Sequence, residues 1–425
     1  MKLKPHLIIF LFSIAFGCKT LEEKSIHLNI EKDTKEIFDS LVEIRRDFHQ
    51  NPELAGNEIR TAKMITKHLL SLGLEVKTGI AGNGVIGILK GSGDGKNIAW
   101  RADMDAIPSD FSDDASYKSK VKGLQHGCGH DVHMAIGLGI AEVLAKNKEA
   151  INGTIYFIFQ PEEETFVGAK NMVTTSEFST MNLDEIYALH VTALPVGQIM
   201  VKPNELYAYQ KRIQITFKDN LSKEEAKDLY DTIRTETLRK KDGVNPWEIP
   251  KAFDSAIGLS NPNTVFKDYL FLEENFVTEE ANNQFHIKGY LYETDKSNLP
   301  NILSKIEQAI NNTTFKDQFI SVSYIQGNPT VLNDEELTSK AMNLLNDLYG
   351  DETAVMNYGQ IPYFNDDFIY FQQKVPGVYF LLGGSNYEKE IVAMNHAPNF
   401  RVDEKCIKVG VASFSSLILE RANVK

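Results

Sequence analysis

Four short apolar runs, each closing on polar or charged residues, constrain the fold of this chain more than any other feature. They cover residues 85–89, 98–101, 155–159 and 186–189, and helical patterns separate several of them. Runs of this length that are apolar throughout read as strands buried on both faces. Strands of that kind alternating with helices indicate an α/β fold around a buried sheet. A helix is predicted over 35–50, with Phe38, Leu41, Ile44 and Phe48 on one face and Pro52 as its stop. A second is predicted over 57–71, with Ala62, Ile65 and Leu69 at helical spacing and Gly73 just beyond its end.

Ligands of open α/β sheets bind at the carboxyl ends of strands, and those ends carry chemistry here. The second run leads into Arg101-Ala102-Asp103-Met104-Asp105, the third into Gln160-Pro161-Glu162-Glu163-Glu164, and the fourth into His190. The densest stretch is Gly127-Cys128-Gly129-His130-Asp131-Val132-His133. In an extended segment Cys128 and His130 project to the same side, whereas in a helix they diverge by about 200°. A thiol and an imidazole converging just before a helix suit a transition metal. A lone Cys-x-His is more often a buried Cys beside a hydrogen-bonded His. The donors recurring at the other strand ends favour the metal.

The net charge of −13 argues against a nucleic-acid partner, which requires a basic face. At the N-terminus Lys2 and Lys4 precede an apolar run over 7–16 and then Gly17-Cys18. The run is too short to span a bilayer and has the layout of an export signal. Small residues ending on Cys resemble a bacterial lipoprotein signal, which implies cleavage after residue 17 and lipid on Cys18. The expected result is an exported, membrane-anchored lipoprotein with residues 18–35 as a polar tether. Cys406 lies in an apolar-periodic stretch and reads as core, its pairing with Cys128 being the alternative.

Between about 206 and 315 charged residues become frequent and the donor motifs stop. Strand and helix patterns at 285–290 and 299–310 mark a separate inserted domain. Site-like segments resume with Asn365-Asp366-Asp367-Phe368, the strand at 378–382 and Met394-Asn395-His396-Ala397-Pro398. The expected boundaries are 36–206 and 316–425 for one domain and 207–315 for the insertion.

Several of these motifs resemble the M20 metallopeptidase family, in particular its amidohydrolase branch of hippurate and N-acyl-amino-acid hydrolases. The likeness rests on Arg45-Arg46-Asp47-Phe48-His49-Gln50-Asn51-Pro52-Glu53-Leu54, Arg101-Ala102-Asp103-Met104-Asp105-Ala106, Cys128-Gly129-His130-Asp131, Gln160-Pro161-Glu162-Glu163-Glu164 and His396-Ala397-Pro398. It implies a zinc-peptidase-like α/β catalytic domain with a mixed sheet, interrupted by a smaller α+β lid or dimerisation domain. Carried over by position, the metal ligands are Cys128, His130, Glu164, His190 and His396. Glu163 takes the place of the general base, and Asp105 that of an acidic residue beside the metals. The resemblance implies two divalent ions, zinc foremost with manganese, cobalt or nickel as alternatives, an N-acyl amino acid or small peptide as substrate, and a homodimer through the insertion. It breaks down in the lid. Residues 214–220 lack the branch's Gly-rich segment with its His, and Gly289-Tyr290-Leu291-Tyr292 stands where the branch has Gly-Thr-x-Arg. Two further readings therefore stand beside the amidohydrolase: a metal-binding lipoprotein with weakened catalysis, and an exopeptidase acting on dipeptides.

Overall fold

The computed structural model describes residues 13–424, with side chains from residue 25 onward. The leader assigned to 1–17 lies largely outside the described residues, and so does the Cys18 side chain. The first helix, α1, spans Ser13–Gln50. The expected tether is corrected over 25–35, because this stretch continues the helix and packs. Ile30 and Thr34 are fully buried, in step with Ile37 and Leu41 on the same helical face, while the charged residues between them point outward. His27 bonds Ser416 through Nδ1 at 2.9 Å and meets Glu420 through Nε2 at 3.0 Å, which fastens this end of α1 to the last helix. No helix among the described residues is long and apolar enough to cross a membrane.

The helix α2, Ile59–Ser71, leads into strands β1 (Glu75–Ile80), β2 (Gly84–Lys90) and β3 (Gly93–Asp103). The helix α3 (His130–Lys146) precedes β4 (Asn152–Gln160), β5 (Glu185–Pro195) and β6 (Ile199–Val201). The insertion contributes β7 (Tyr209–Phe217), α4 (Lys223–Thr237), β8 (Leu270–Ala281), β9 (Gln284–Glu293), α5 (Leu299–Asn311) and β10 (Phe319–Gln326). The chain then returns through α6 (Glu335–Tyr349), β11 (Ala354–Met356), β12 (Gly377–Ser385) and α7 (Lys405–Ala422).

The main sheet has eight strands in the order β1-β2-β4-β3-β5-β12-β6-β11. Its centre, β4-β3-β5-β12, is parallel, while β2 and β6 run antiparallel to their neighbours β4 and β12. This is the expected mixed sheet, and its parallel centre places several carboxyl ends on one edge. Helices α1, α3 and α7 cover one face, where Leu41, Ile136, Phe157 and Phe414 share a single core. Cys406 sits in this core, and Cys128 and Cys406 are both unpaired thiols.

The insertion forms a second sheet, ordered β8-β9-β7-β10, against which α4 and α5 pack. Its fourth strand, β10, lies beyond the boundary expected at 315, because residues 319–326 pair along β7. Part of the insertion is also not separate. Ala252, Phe253, Leu259 and Phe266 are buried in one cluster with Ala188, Tyr379 and Leu381 of the main sheet.

Candidate metal centre

The candidate donors come from four segments: Cys128 and His130 from the start of α3, Glu164 from the loop after β4, His190 from within β5, and His396 from the loop between β12 and α7. Gly129 caps α3 with φ +98°, and a Cβ there would lie 2.4 Å from Cγ1 of Val191. Only glycine allows the Cys128 segment to lie this close to β5. Cys128 Sγ is 3.3 Å from Nε2 of His190, a residue within β5. Asn395 donates from its amide to the carbonyls of Cys128 at 2.8 Å and Val191 at 3.1 Å, and the His396 N–H reaches the Gly127 carbonyl at 3.0 Å. These bonds carry His396 into the site from a distant part of the chain. Its Nε2 stands 3.2 Å from Oε1 of Glu164.

The five expected ligands therefore converge. In the sets Cys128–His130–His190 and Cys128–Glu164–His396, one ligand atom of each residue lies within 4.8 Å of the others. His130 is fully buried, and its Nε2 has no hydrogen-bond partner although it lies 3.7 Å from Glu163 and 3.8 Å from Glu164. A buried nitrogen without a hydrogen-bond partner, aimed among carboxylates, fits a metal ligand. The electrostatics of the donors agree. Burial, then Glu164, Glu163 and Asp103, pushes the Cys128 thiol well above its ordinary range. Burial acts to lower His130, but Asp103, Asp105 and Glu164 outweigh it and raise that imidazole to about 10. The surrounding carboxylates favour positive charge here, and the residues present fit a metal.

Glu163, the expected base, is buried at 5 % exposure beside Glu164. Burial, then Asp366, Glu164 and Asp367, holds its carboxyl well above the usual carboxylate range. Asp105, expected beside the metals, plays a supporting part in this geometry. Its Oδ2 accepts the Glu164 N–H at 2.9 Å, and its backbone carbonyl accepts from Nδ1 of His130 at 2.8 Å. Its Oδ1 is buried with no hydrogen-bond partner, 3.4 Å from Nδ1 of His130.

Sequence reasoning missed the layer behind the ligands. His133 bonds Asp103 through Nδ1 at 2.6 Å and accepts the Val191 N–H on Nε2 at 2.9 Å. Both nitrogens are thus engaged, and His133 is a strut rather than a ligand. Arg101 has no side-chain exposure and reaches Asp103 at 2.6 Å, Asp366 and Asp367 each at 3.1 Å, and Gln160 at 2.7 Å. The available signal was a cation at the end of an apolar strand, which a buried site accepts only when it is paired. In the insertion, Tyr292 occupies the place of the branch's Arg. It is 1 % exposed, packs on Tyr363 at 4.8 Å and donates to Glu273 at 2.6 Å. Lys218, just beyond β7, donates to the Asp317 carbonyl at 3.1 Å in an exposed contact.

The profile of Peptidase family M20/M25/M40 matches residues 99–420. Thermostable carboxypeptidase 2 of Saccharolobus solfataricus is 32 % identical over 417 residues, covering 93 % of this chain and 98 % of that protein. The IAA-amino acid hydrolase ILR1-like 2 of Arabidopsis thaliana is 27 % identical and covers 99 % of this chain and 94 % of its own length. Among solved structures, the Bacillus subtilis YXEP protein, described as a dinuclear metal binding peptidase from the M20 family, superposes with a TM-score of 0.69 at 26 % identity, covering 91 % of this chain and 99 % of its own. The profile match, the full-length relatives and the converging donors agree that the chain belongs to peptidase family M20/M25/M40.

Proposed function

We propose that this protein is a metal-dependent amidohydrolase that cleaves the amide bond of an N-acyl amino acid or small peptide. The observation that carries the reading is the convergence of Cys128, His130, Glu164, His190 and His396 on one strand-end site, with Glu163 against it. Two divalent ions held by these donors would polarise the amide carbonyl and acidify a water. The mixed thiolate, imidazole and carboxylate set favours zinc, with manganese, cobalt or nickel as alternatives. Glu163 takes the proton of the attacking water and returns it to the departing amine. His133 and Asp103 hold the site from behind, and Asp105 orients Glu164 and His130. Burial of Glu163 keeps bulk water from competing for its proton.

The chain is proposed to act on the outer side of a bacterial membrane, anchored by lipid on Cys18, and to dimerise through the insertion. A Cys18→Ser variant still recovered with membranes argues against the anchor. A single-chain mass in sedimentation at micromolar concentration argues against the dimer. A second reading, weakened catalysis, draws support from Tyr292 standing buried in place of a cation. Hydrolysis of a panel of N-acyl amino acids and dipeptides, with and without added zinc, separates the readings. Metal-dependent turnover that Glu163→Gln reduces by about 10²–10⁴-fold, with metal content retained, supports the proposal. Full metal loading with no turnover on any member supports the second reading.

A further inference from the structure

Glu58 is fully buried and has no part in the reaction outlined above. It precedes α2 but does not cap it. The first-turn N–H groups of that helix, on Arg60 and Thr61, are both taken by Glu53, at 3.0 and 2.8 Å, and Glu58 makes no capping bond of its own. Its carboxylate turns instead toward the catalytic edge. Oε1 accepts the Gly56 N–H at 3.0 Å and the Glu162 N–H at 2.9 Å, and Oε2 accepts the Asn83 amide at 3.0 Å. Three separate segments thus meet on one carboxylate: the approach to α2, the turn between β1 and β2, and the loop after β4.

The third of these segments bears on catalysis. Glu162 has φ +58°, a left-handed backbone that an L-residue keeps only when its surroundings impose it. The next residue is Glu163, and the one after it, Glu164, gives its N–H to Asp105 at 2.9 Å. The amides on either side of Glu163 are therefore each tied to a buried carboxylate from a different part of the chain. Gly56, at φ +79°, lets the two loops close on each other, since a Cβ there would lie 3.2 Å from Oε1 of Glu162.

We infer that Glu58 is a positioning residue for hydrolysis: its carboxylate imposes the left-handed turn at Glu162 that aims the Glu163 side chain at the metal centre. The inference rests on Glu163 being the base. Misplacing a reacting group by an ångström can cost about 100-fold, so a Glu58→Leu variant should lose about 10- to 100-fold in kcat. KM should stay within about threefold and metal content should be unchanged, because no ligand is touched. Glu58→Gln keeps an acceptor for the Glu162 N–H and should restore most of kcat.

The decisive comparison is a double-mutant cycle. If Glu58 acts through Glu163, Glu58→Leu costs little once Glu163→Gln is present. An equal loss in both backgrounds, or no rescue by Glu58→Gln, overturns the inference. Near-normal turnover of Glu163→Gln alone overturns the base assignment instead, which keeps the two failures distinct. Should Glu58→Leu not fold, hydrogen exchange on the unmodified protein decides: the Glu162 amide should be strongly protected, and rapid exchange there refutes the clamp.

Discussion

Arg101→Met tests the idea that one buried cation holds the ground under the metal site. The guanidinium contacts Asp103, Asp366, Asp367 and Gln160, with no side-chain exposure on Arg101, Asp103 or Asp367 and 1 % on Asp366. Tyr379 also donates to Asp366, but a phenol adds no charge. Methionine nearly fills the volume and leaves Asp366 and Asp367 with no cation, while Asp103 keeps its bond from His133 at 2.6 Å. Removing one partner of a buried pair costs about 3–5 kcal/mol, which for a domain of this size is a fall in Tm on the order of 10 °C. A signature in pH separates this from simple loss of packing. Carboxylates stranded in the fold bind protons more tightly than in the unfolded chain, so the folded state holds more protons and stability falls as pH rises. The gap between wild type and Arg101→Met should therefore widen from pH 5 to pH 8 in calorimetry of the zinc-loaded protein. A gap that stays within about 2 °C over that range would refute the reasoning.

Two further substitutions probe other parts of the account. Gly129→Ala places a methyl 2.4 Å from Val191 Cγ1 at φ +98°. The left-handed backbone and the overpacking each cost about 1–3 kcal/mol, and the strain falls between two ligands. Zinc titration against a competing chelator should show affinity weakened at least about tenfold, whereas unchanged affinity would mean that the close approach is not needed. Glu185 accepts from Lys96 at 2.6 Å, Tyr187 at 2.6 Å and Arg421 at 2.9 Å. Burial pushes its carboxyl up, but bonds from Arg421, Lys96 and Tyr187 outweigh this and hold it below the usual range. A lowered folded pKa stabilises above the unfolded value near about 4.3, and that stability is lost as pH falls through the folded value. Glu185→Gln should therefore destabilise clearly at pH 7 in urea and much less at pH 3, and an equal loss at both would contradict the assignment.

The legible parts of the sequence were those where one residue type does one job at fixed spacing. The apolar runs at 85–89, 98–101, 155–159 and 186–189 lie within β2, β3, β4 and β5, because runs too short for a buried helix and closed by polar residues favour strands buried on both faces. Cys128, His130 and His190 stood out as donors at a helix start and a strand end, whereas the choice of Glu164 and His396 came from the resemblance to the M20 family. What escaped was whatever depends on three dimensions. Nothing in Lys19 to Lys35 announces a partner, since the α3 and α7 surfaces that bury Ile30 and Thr34 lie far along the chain. The β10 strand, whose burial is slight, has too weak an apolar pattern to reveal that it pairs with β7. Glu58 looks like a surface charge, and Arg101 and Asp366 show no mutual pairing, until the fold brings their partners together.

The central claim is that five side chains from four distant segments hold a two-metal hydrolytic site. Anomalous scattering at the zinc edge from crystals of the zinc-loaded protein tests it most directly. The account predicts two peaks bounded by Cys128 Sγ, the rings of His130, His190 and His396, and the Glu164 carboxylate, with Glu163 beside them and not bound. A single peak, or peaks that leave His190 or His396 outside the coordination, would contradict it.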